Sequence, residues 1–118
     1  MNKREAAEKR GRQGEVVASW WLRLQGWSIV DQRVRTPRGE VDLVARRGKT
    51  LAFVEVKARS DVTQLDTAID AFRLQRVIAA AEMLAGRYGA GAQSIRIDVI
   101  LVAPWRLPRH LTNVGQML

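Results

Sequence analysis

The sequence predicts an α/β domain of order αβββαβ, a mixed four-stranded sheet flanked by two long helices. Three observations predict it. Two long segments carry helix formers with apolar residues at helical spacing. Three short β-type segments between them are divided by turn signals. A continuous apolar run, 95–103, follows the second helical segment. The 118 residues are 47% hydrophobic and 27% charged, a globular composition. That length buries roughly 65% of the unfolded surface, enough for one core. No internal repeat, low-complexity stretch or linker divides the chain, so residues 1–118 read as a single domain.

Residues 3–25 read as the first helix, with Gly26 as its stop. Two apolar stripes run along it, one through Val17, Trp20, Trp21 and Leu24, the other through Gly11, Glu15, Ala18 and Leu22. Two stripes predict packing on more than one side. The polar first turns, 1–10, are expected to project into solvent or fray. Residues 27–34 read as strand one, and Thr36-Pro37-Arg38-Gly39 as a turn. Residues 40–46 and 50–58 read as strands two and three, an antiparallel hairpin closed by a two-residue turn at Arg47-Gly48. Residues 64–86 form the second helix, with an apolar stripe through Leu65, Ile69, Phe72, Val77, Ala80 and Leu84 and a stop at Gly86. Residues 89–92 are a loop, and 95–103 are strand four, ended by Pro104. Strand three, helix two and strand four make a right-handed parallel crossover. The tail, 105–118, is expected to add at most a short element near Leu111.

The formal charge is +8. It is uneven: residues 1–59 hold 14 Lys/Arg against 7 Asp/Glu, whereas residues 60–118 hold 6 against 5. Such a balance favours a polyanionic partner. Of the 20 cations 16 are Arg, the side chain that grips phosphate in a bidentate fork. The absence of Cys excludes disulfides and thiolate metal sites. Met1 to Arg12 is charged and has no apolar core of a secretory signal. No apolar run approaches the ~20 residues of a membrane span. The expectation is a cytoplasmic protein without a membrane partner.

The chemistry concentrates in Gly39-Glu40-Val41-Asp42-Leu43-Val44-Ala45 and Phe53-Val54-Glu55-Val56-Lys57. Strand side chains alternate between faces. Leu51, Phe53, Glu55 and Lys57 therefore share one face, and Ala52, Val54 and Val56 the other. A turn at Arg47-Gly48 pairs Asp42 with Phe53, which sets Asp42 one diagonal step from Glu55 on the same face. A lone Glu-x-Lys on a strand is ordinarily a surface ion pair. Here the strand is strongly apolar, a second acid lies on the paired strand, and the region is basic. Two acids suit a hard cation such as Mg²⁺, or Mn²⁺ in its place. A cation held by Asp42 and Glu55, with the carbonyl of Val56 as a further ligand, would polarise a phosphate and supply hydroxide. Lys57 would stabilise the developing charge or orient the attacking water. Arg33, Arg35, Arg38, Arg46, Arg47, Lys49 and Arg59 cluster around the hairpin and its ends, a candidate phosphate-binding rim. Trp20, Trp21 and Trp27 read as core or oligomer contacts rather than base-stacking platforms. His110 reads as a surface or capping residue of the tail.

The motif Gly39 to Ala45, followed by Phe53-Val54-Glu55-Val56-Lys57-Ala58-Arg59-Ser60, closely resembles the YraN-type family, also called UPF0102. That family is similar to the PD-(D/E)XK nuclease superfamily and to archaeal Holliday-junction resolvases. Gly11, Glu15, Ala18, Leu22 and Gly26 resemble its first-helix pattern, Arg96-Ile97-Asp98-Val99 its fourth strand, and His110, Leu111 and Asn113 its C-terminal segment. The resemblance implies a restriction-endonuclease-like core with Asp42, Glu55 and Lys57 as the catalytic set. It also implies Glu15 as a further acid, catalytic and metal-binding. The family commonly has a Lys near the position of Arg73. Arg keeps the charge but not the shape, so Arg73, Gln75 and Arg76 read as a solvated helix face.

The leading expectation is a Mg²⁺-dependent DNA endonuclease acting on branched or structured DNA. Its rival is a non-catalytic nucleic-acid-binding module that keeps the fold, and a third reading is a protein–protein adaptor using the tryptophans and the apolar tail. A homodimer would match the twofold symmetry of a four-way junction, on which resolvases usually pair.

Overall fold

A computed structural model of the chain describes residues 2–59 and 71–117. The first helix, α1, spans Lys3–Leu24. Asn2 caps it, its side-chain oxygen accepting the Glu5 N–H at 2.8 Å. At the other end the Trp27 N–H returns to the Leu22 carbonyl and the Gly26 N–H to that of Arg23, both at 3.0 Å. Gly26 takes φ +91°, the left-handed position such a cap needs. The remaining elements are β1 (Ser28–Thr36), β2 (Gly39–Arg47), β3 (Thr50–Ala58), α2 (Ala71–Tyr88), β4 (Ser94–Val102), β5 (Arg109–Leu111) and a 3-10 helix, Val114–Met117.

The sheet runs in the order β1-β2-β3-β4-β5. The pairs β1/β2 and β2/β3 are antiparallel, β3/β4 is parallel, and β4/β5 is antiparallel. The sheet therefore has five strands, one more than the sequence suggested. The tail supplies the fifth, which covers the outer edge of β4. Asp98 explains why so short a strand holds. It is fully buried on β4. It accepts from Arg96 at 2.9 and 3.2 Å and from the Asn113 N–H at 2.9 Å, and it lies 2.8 Å from His110 Nε2. Burial alone would raise its pKa. The contacts with His110, Arg96 and Asn113 outweigh that and hold it below the usual carboxylate value. His110 is therefore not a surface residue: its side chain is 12% exposed and fastens β5 to β4.

Helices cover both faces. Ala18 and Leu22 of α1 pack on Leu43, Ala45, Ala52, Val54, Val56 and Ile100. Leu74, Val77, Ala80, Ala81 and Leu84 of α2 pack on the opposite face, with Leu51, Phe53 and Val44. The two stripes of α1 behave differently. The Ala18/Leu22 stripe is buried, whereas Val17, Trp20 and Leu24 are exposed among the described residues, so α1 packs on one side. The helix α2 runs two residues past Gly86, and the Gly89 N–H closes its last turn on Ala85 at 2.8 Å. Phe72 is exposed rather than part of the buried stripe. The expected helical stretch 64–70, with Leu65 and Ile69, lies outside the described residues.

One register differs from expectation. Arg47 pairs with Thr50, so the hairpin turn is Gly48-Lys49, not Arg47-Gly48. Gly48 stands first in the turn with φ +59°. Glycine in that first position suits a two-residue hairpin turn of type II′. The shift slides β3 by two residues against β2. Val44 lies opposite Phe53 and Leu43 opposite Val54, and the same register carried on places Asp42 opposite Glu55.

Candidate active site

Two glycines set the helices against the sheet where the acids lie. A Cβ on Gly14 would stand 2.7 Å from the Cβ of Ala58. Only glycine allows α1 to approach the end of β3 so closely, and the next residue, Glu15, is thereby brought to the sheet. A Cβ on Gly39 would stand 2.4 Å from the Arg76 carbonyl oxygen. That close approach seats α2 over the start of β2.

Between these two contacts the strands are irregular. Val30 is bulged out of the β1–β2 ladder. Arg33 follows, with φ +51°, opposite Asp42 in the register that joins Gln32 to Leu43 and Val34 to Val41. Alternation along β2 breaks there too. Leu43 and Ala45 belong to the α1-side core, yet Val41 joins Val44 in the α2-side core. A left-handed non-glycine residue costs energy and is concentrated at functional positions.

The polar side chains gather at this irregularity. The Val56 N–H donates to Asp42 Oδ2 at 2.7 Å. Lys57 and Glu55 form an ion pair whose side chains are 6% and 12% exposed. Glu55 lines a cleft with Val77 of α2, on the face of Leu51 and Phe53, and its ion pair keeps Lys57 beside it, as alternation predicts. Glu15 is 14% exposed and accepts from Arg33 Nε at 3.1 Å, so it is no solvated helix acid. Burial pushes the pKa of Asp42 up, the charge of Glu55 pushes it further, and Glu15 adds a smaller push. The Val56 N–H and Lys57 act the other way, and the result is a pKa raised to about 7. Asp42, Glu55, Lys57 and Glu15 are thus brought into one electrostatic unit. Val56 meets it through its N–H.

Among the described residues no group of three or more His, Cys, Asp or Glu is arranged as a metal cage. The arrangement is instead a carboxylate pair, Glu55 buried and Asp42 half-buried. Mg²⁺ is commonly held by one or two carboxylates, with waters and substrate phosphate completing its shell. A carboxyl whose proton is favoured by burial and by neighbouring carboxylates is one that a cation in place of that proton would stabilise. The donor set fits such an ion at Asp42 and Glu55, with Glu15 engaged by Arg33.

The cations divide into two groups. Arg33, Arg35 and Arg38 lie at the acid-bearing end of the sheet, in ion pairs with Glu15, Glu40 and Glu82. Arg59 follows β3 there, its N–H donating to the Val102 carbonyl at 2.9 Å. Arg46, Arg47 and Lys49 do not join them. They sit at the far end of the β2–β3 hairpin, and Arg47 is roughly 16 Å along the strand from Asp42. Arg46 bonds the carbonyls of Gly48 and Ala90, and Arg47 bonds that of Gln25 and lies over the Trp27 ring. The turn of the hairpin and its acids are at opposite ends, so its cations do not form one cluster.

Two cations that the sequence left on a solvated helix face belong to the site end. Arg73 and Arg76 line a cleft of about 220 Å³ together with Glu40, Glu55 and Val77. The signal was their spacing with Val77 on one face of α2. Trp27 is core, as expected, and Trp21 packs beside it.

The family model described as "Uncharacterised protein family UPF0102" matches residues 14–102. The chain belongs to the UPF0102 family. UPF0102 proteins of Rhizorhabdus wittichii and Sphingopyxis alaskensis are 67% and 64% identical, over 97% and 96% of this chain and 97% of each relative. The UPF0102 protein of Erythrobacter litoralis is 58% identical over 97% of this chain and 98% of its own. Among solved structures the fold is similar to that of Archaeoglobus fulgidus Hjc, a Holliday junction resolvase from an archaeal hyperthermophile. The TM-score is 0.60 at 24% identity, covering 90% of this chain and 76% of that one. This UPF0102 chain therefore has the restriction-endonuclease-like α/β fold, with the added fifth strand. Among the described residues no helix is long and apolar enough to cross a membrane.

Proposed function

We propose that this UPF0102 protein is a metal-dependent endonuclease that hydrolyses phosphodiester bonds in branched or otherwise structured DNA. The observation that carries the reading is the coupled pair of half-buried Asp42 and buried Glu55, joined by Lys57 and Glu15. Asp42 and Glu55 would hold Mg²⁺ or Mn²⁺, with the Val56 carbonyl as a further candidate ligand. The ion would supply Lewis-acid activation of the phosphate and an ionised water. Lys57, which pairs with Glu55, would stabilise negative charge on the phosphate oxygens. Arg33, Arg35, Arg38 and Arg59, with Arg73 and Arg76, would grip the flanking backbone as phosphate contacts that position rather than read sequence. Resolvase action is what the name of the Archaeoglobus protein states for that protein, and it motivates junctions as the first substrate to try.

The test is incubation with labelled four-way junction, flap, single-stranded and duplex DNA, with Mg²⁺ or Mn²⁺, beside Asp42→Ala and Lys57→Ala. The reading expects metal-dependent cleavage of a branched substrate, absent in Asp42→Ala and reduced about 10²- to 10³-fold in Lys57→Ala. No cleavage of any substrate, or cleavage that survives in Asp42→Ala, overturns it. Binding without cleavage and without metal would favour the non-catalytic module.

A further inference from the structure

A second cavity lies on the other side of the sheet. It is an open groove of about 640 Å³ between α1 and the ends of β3 and β4. Among the described residues its lining includes Lys9, Arg10, Arg59 and Arg106, and no carboxylate. Its floor is apolar, from Val17, Val102 and Ala103. At its rim stands Trp105, fully exposed and held at φ +63° by the loop after β4. A bulky residue in the left-handed region is unfavourable, and an exposed indole gains nothing from the core. The groove also adjoins the acidic site through two pairs of consecutive residues. Gly14 and Ala58 line the groove, while their neighbours Glu15 and Lys57 belong to the acidic cluster.

We infer that this groove binds single-stranded DNA, with a base stacked on Trp105 and the backbone phosphates held by Lys9, Arg10, Arg59 and Arg106. Cations tracking a backbone beside an exposed aromatic ring are what sequence-tolerant single-strand binding requires. The apolar floor suits the faces of unpaired bases, which a duplex does not present. A strand passing from the acidic site around the end of the sheet enters the groove directly. The inference rests on the reading that the chain acts on DNA, and it adds that the substrate carries an unpaired arm. It does not require that the chain cleaves.

The test is fluorescence anisotropy with labelled dT12 and with a duplex of equal length, in EDTA so that no cleavage intervenes. The proteins compared are the full chain, Trp105→Ala, Trp105→Phe, Lys9→Ala/Arg10→Ala and Arg46→Ala/Lys49→Ala. Trp105→Ala is expected to weaken dT12 binding about tenfold or more, and Trp105→Phe to retain most of it. The duplex is expected to respond little to either. Lys9→Ala/Arg10→Ala should flatten the salt dependence of dT12 binding, and Arg46→Ala/Lys49→Ala, at the far turn of the hairpin, should bind dT12 as the parent does. Trp105 is exposed, so its variants should melt as the parent does. Undiminished dT12 binding by Trp105→Ala, or an equal loss for duplex, overturns the inference. So does a Trp105-dependent dimer whose dT12 affinity is unchanged, which would make the groove a contact between copies. A chain that cleaves nothing but binds dT12 through Trp105 overturns the nuclease reading alone.

Discussion

At Asp42 two effects act in one direction: burial withdraws water, and Glu55 and Glu15 place negative charge nearby. The folded-state pKa of about 7 lies above the ordinary 3.8. A carboxyl raised in this way favours folding while it is protonated. That contribution is complete below the ordinary value and is lost as pH rises toward the raised one. Without divalent metal, the parent should therefore lose stability between about pH 4 and pH 7 on Asp42's account. Asp42→Asn should remove that part of the dependence and leave the protein the more stable of the two at pH 8. Denaturant titrations across pH measure this. A parent and variant with parallel profiles would show that Asp42 ionises without cost. Asp98 has the opposite sign. Its depressed pKa contributes stability above the ordinary carboxylate value, and that is lost as pH falls through the depressed one. The two carboxylates therefore affect different ends of the profile.

At the scale of elements, the approach of α1 to β3 is what places Glu15. The space at Gly14 admits no Cβ beside that of Ala58. Gly14→Ala should cost about 1–3 kcal/mol and displace the first helix from the acids. Removing the opposing methyl in Gly14→Ala/Ala58→Gly should recover part of the loss. Thermal melts compare the three, and a single variant as stable as the parent would mean that the helix is free to shift. Much at this scale was legible in the sequence. Alternation put Glu55 and Lys57 on the face of Phe53, and Gly26 marked the end of α1. The hairpin register was not legible to one residue, because Gly48 suits either place in a two-residue turn and only pairing with Thr50 decides it. The fifth strand was hidden for a different reason. Arg109–Leu111 is too short to show alternation, and Asp98, which holds it through His110 and Asn113, lies more than ten positions earlier in the chain.

At the scale of the whole molecule, the sheet separates its cations. Arg33, Arg35, Arg38, Arg59, Arg73 and Arg76 share the acid-bearing end, while Arg46, Arg47 and Lys49 occupy the far turn, where carbonyl contacts engage both of its arginines. Charge counting along the sequence could place the positive potential in the first half of the chain but could not tell one end of a strand from the other. Junction binding by the Asp42→Ala protein should weaken steeply with salt, with a log–log slope of about −4 if some four phosphates are neutralised. Arg73→Ala/Arg76→Ala should reduce that slope by about 2, and Arg46→Ala/Lys49→Ala should leave it unchanged. A slope that responds to the far turn instead would relocate the DNA face.

Titration calorimetry with Mn²⁺ tests the proposed cation site at Asp42 and Glu55. At pH 8 the parent should bind the ion with affinity that rises as pH passes through about 7, since Asp42 must release its proton. Asp42→Asn and Glu55→Gln should each abolish that binding. A parent that takes up no Mn²⁺ or Mg²⁺, or variants that bind as the parent does, would rule that site out.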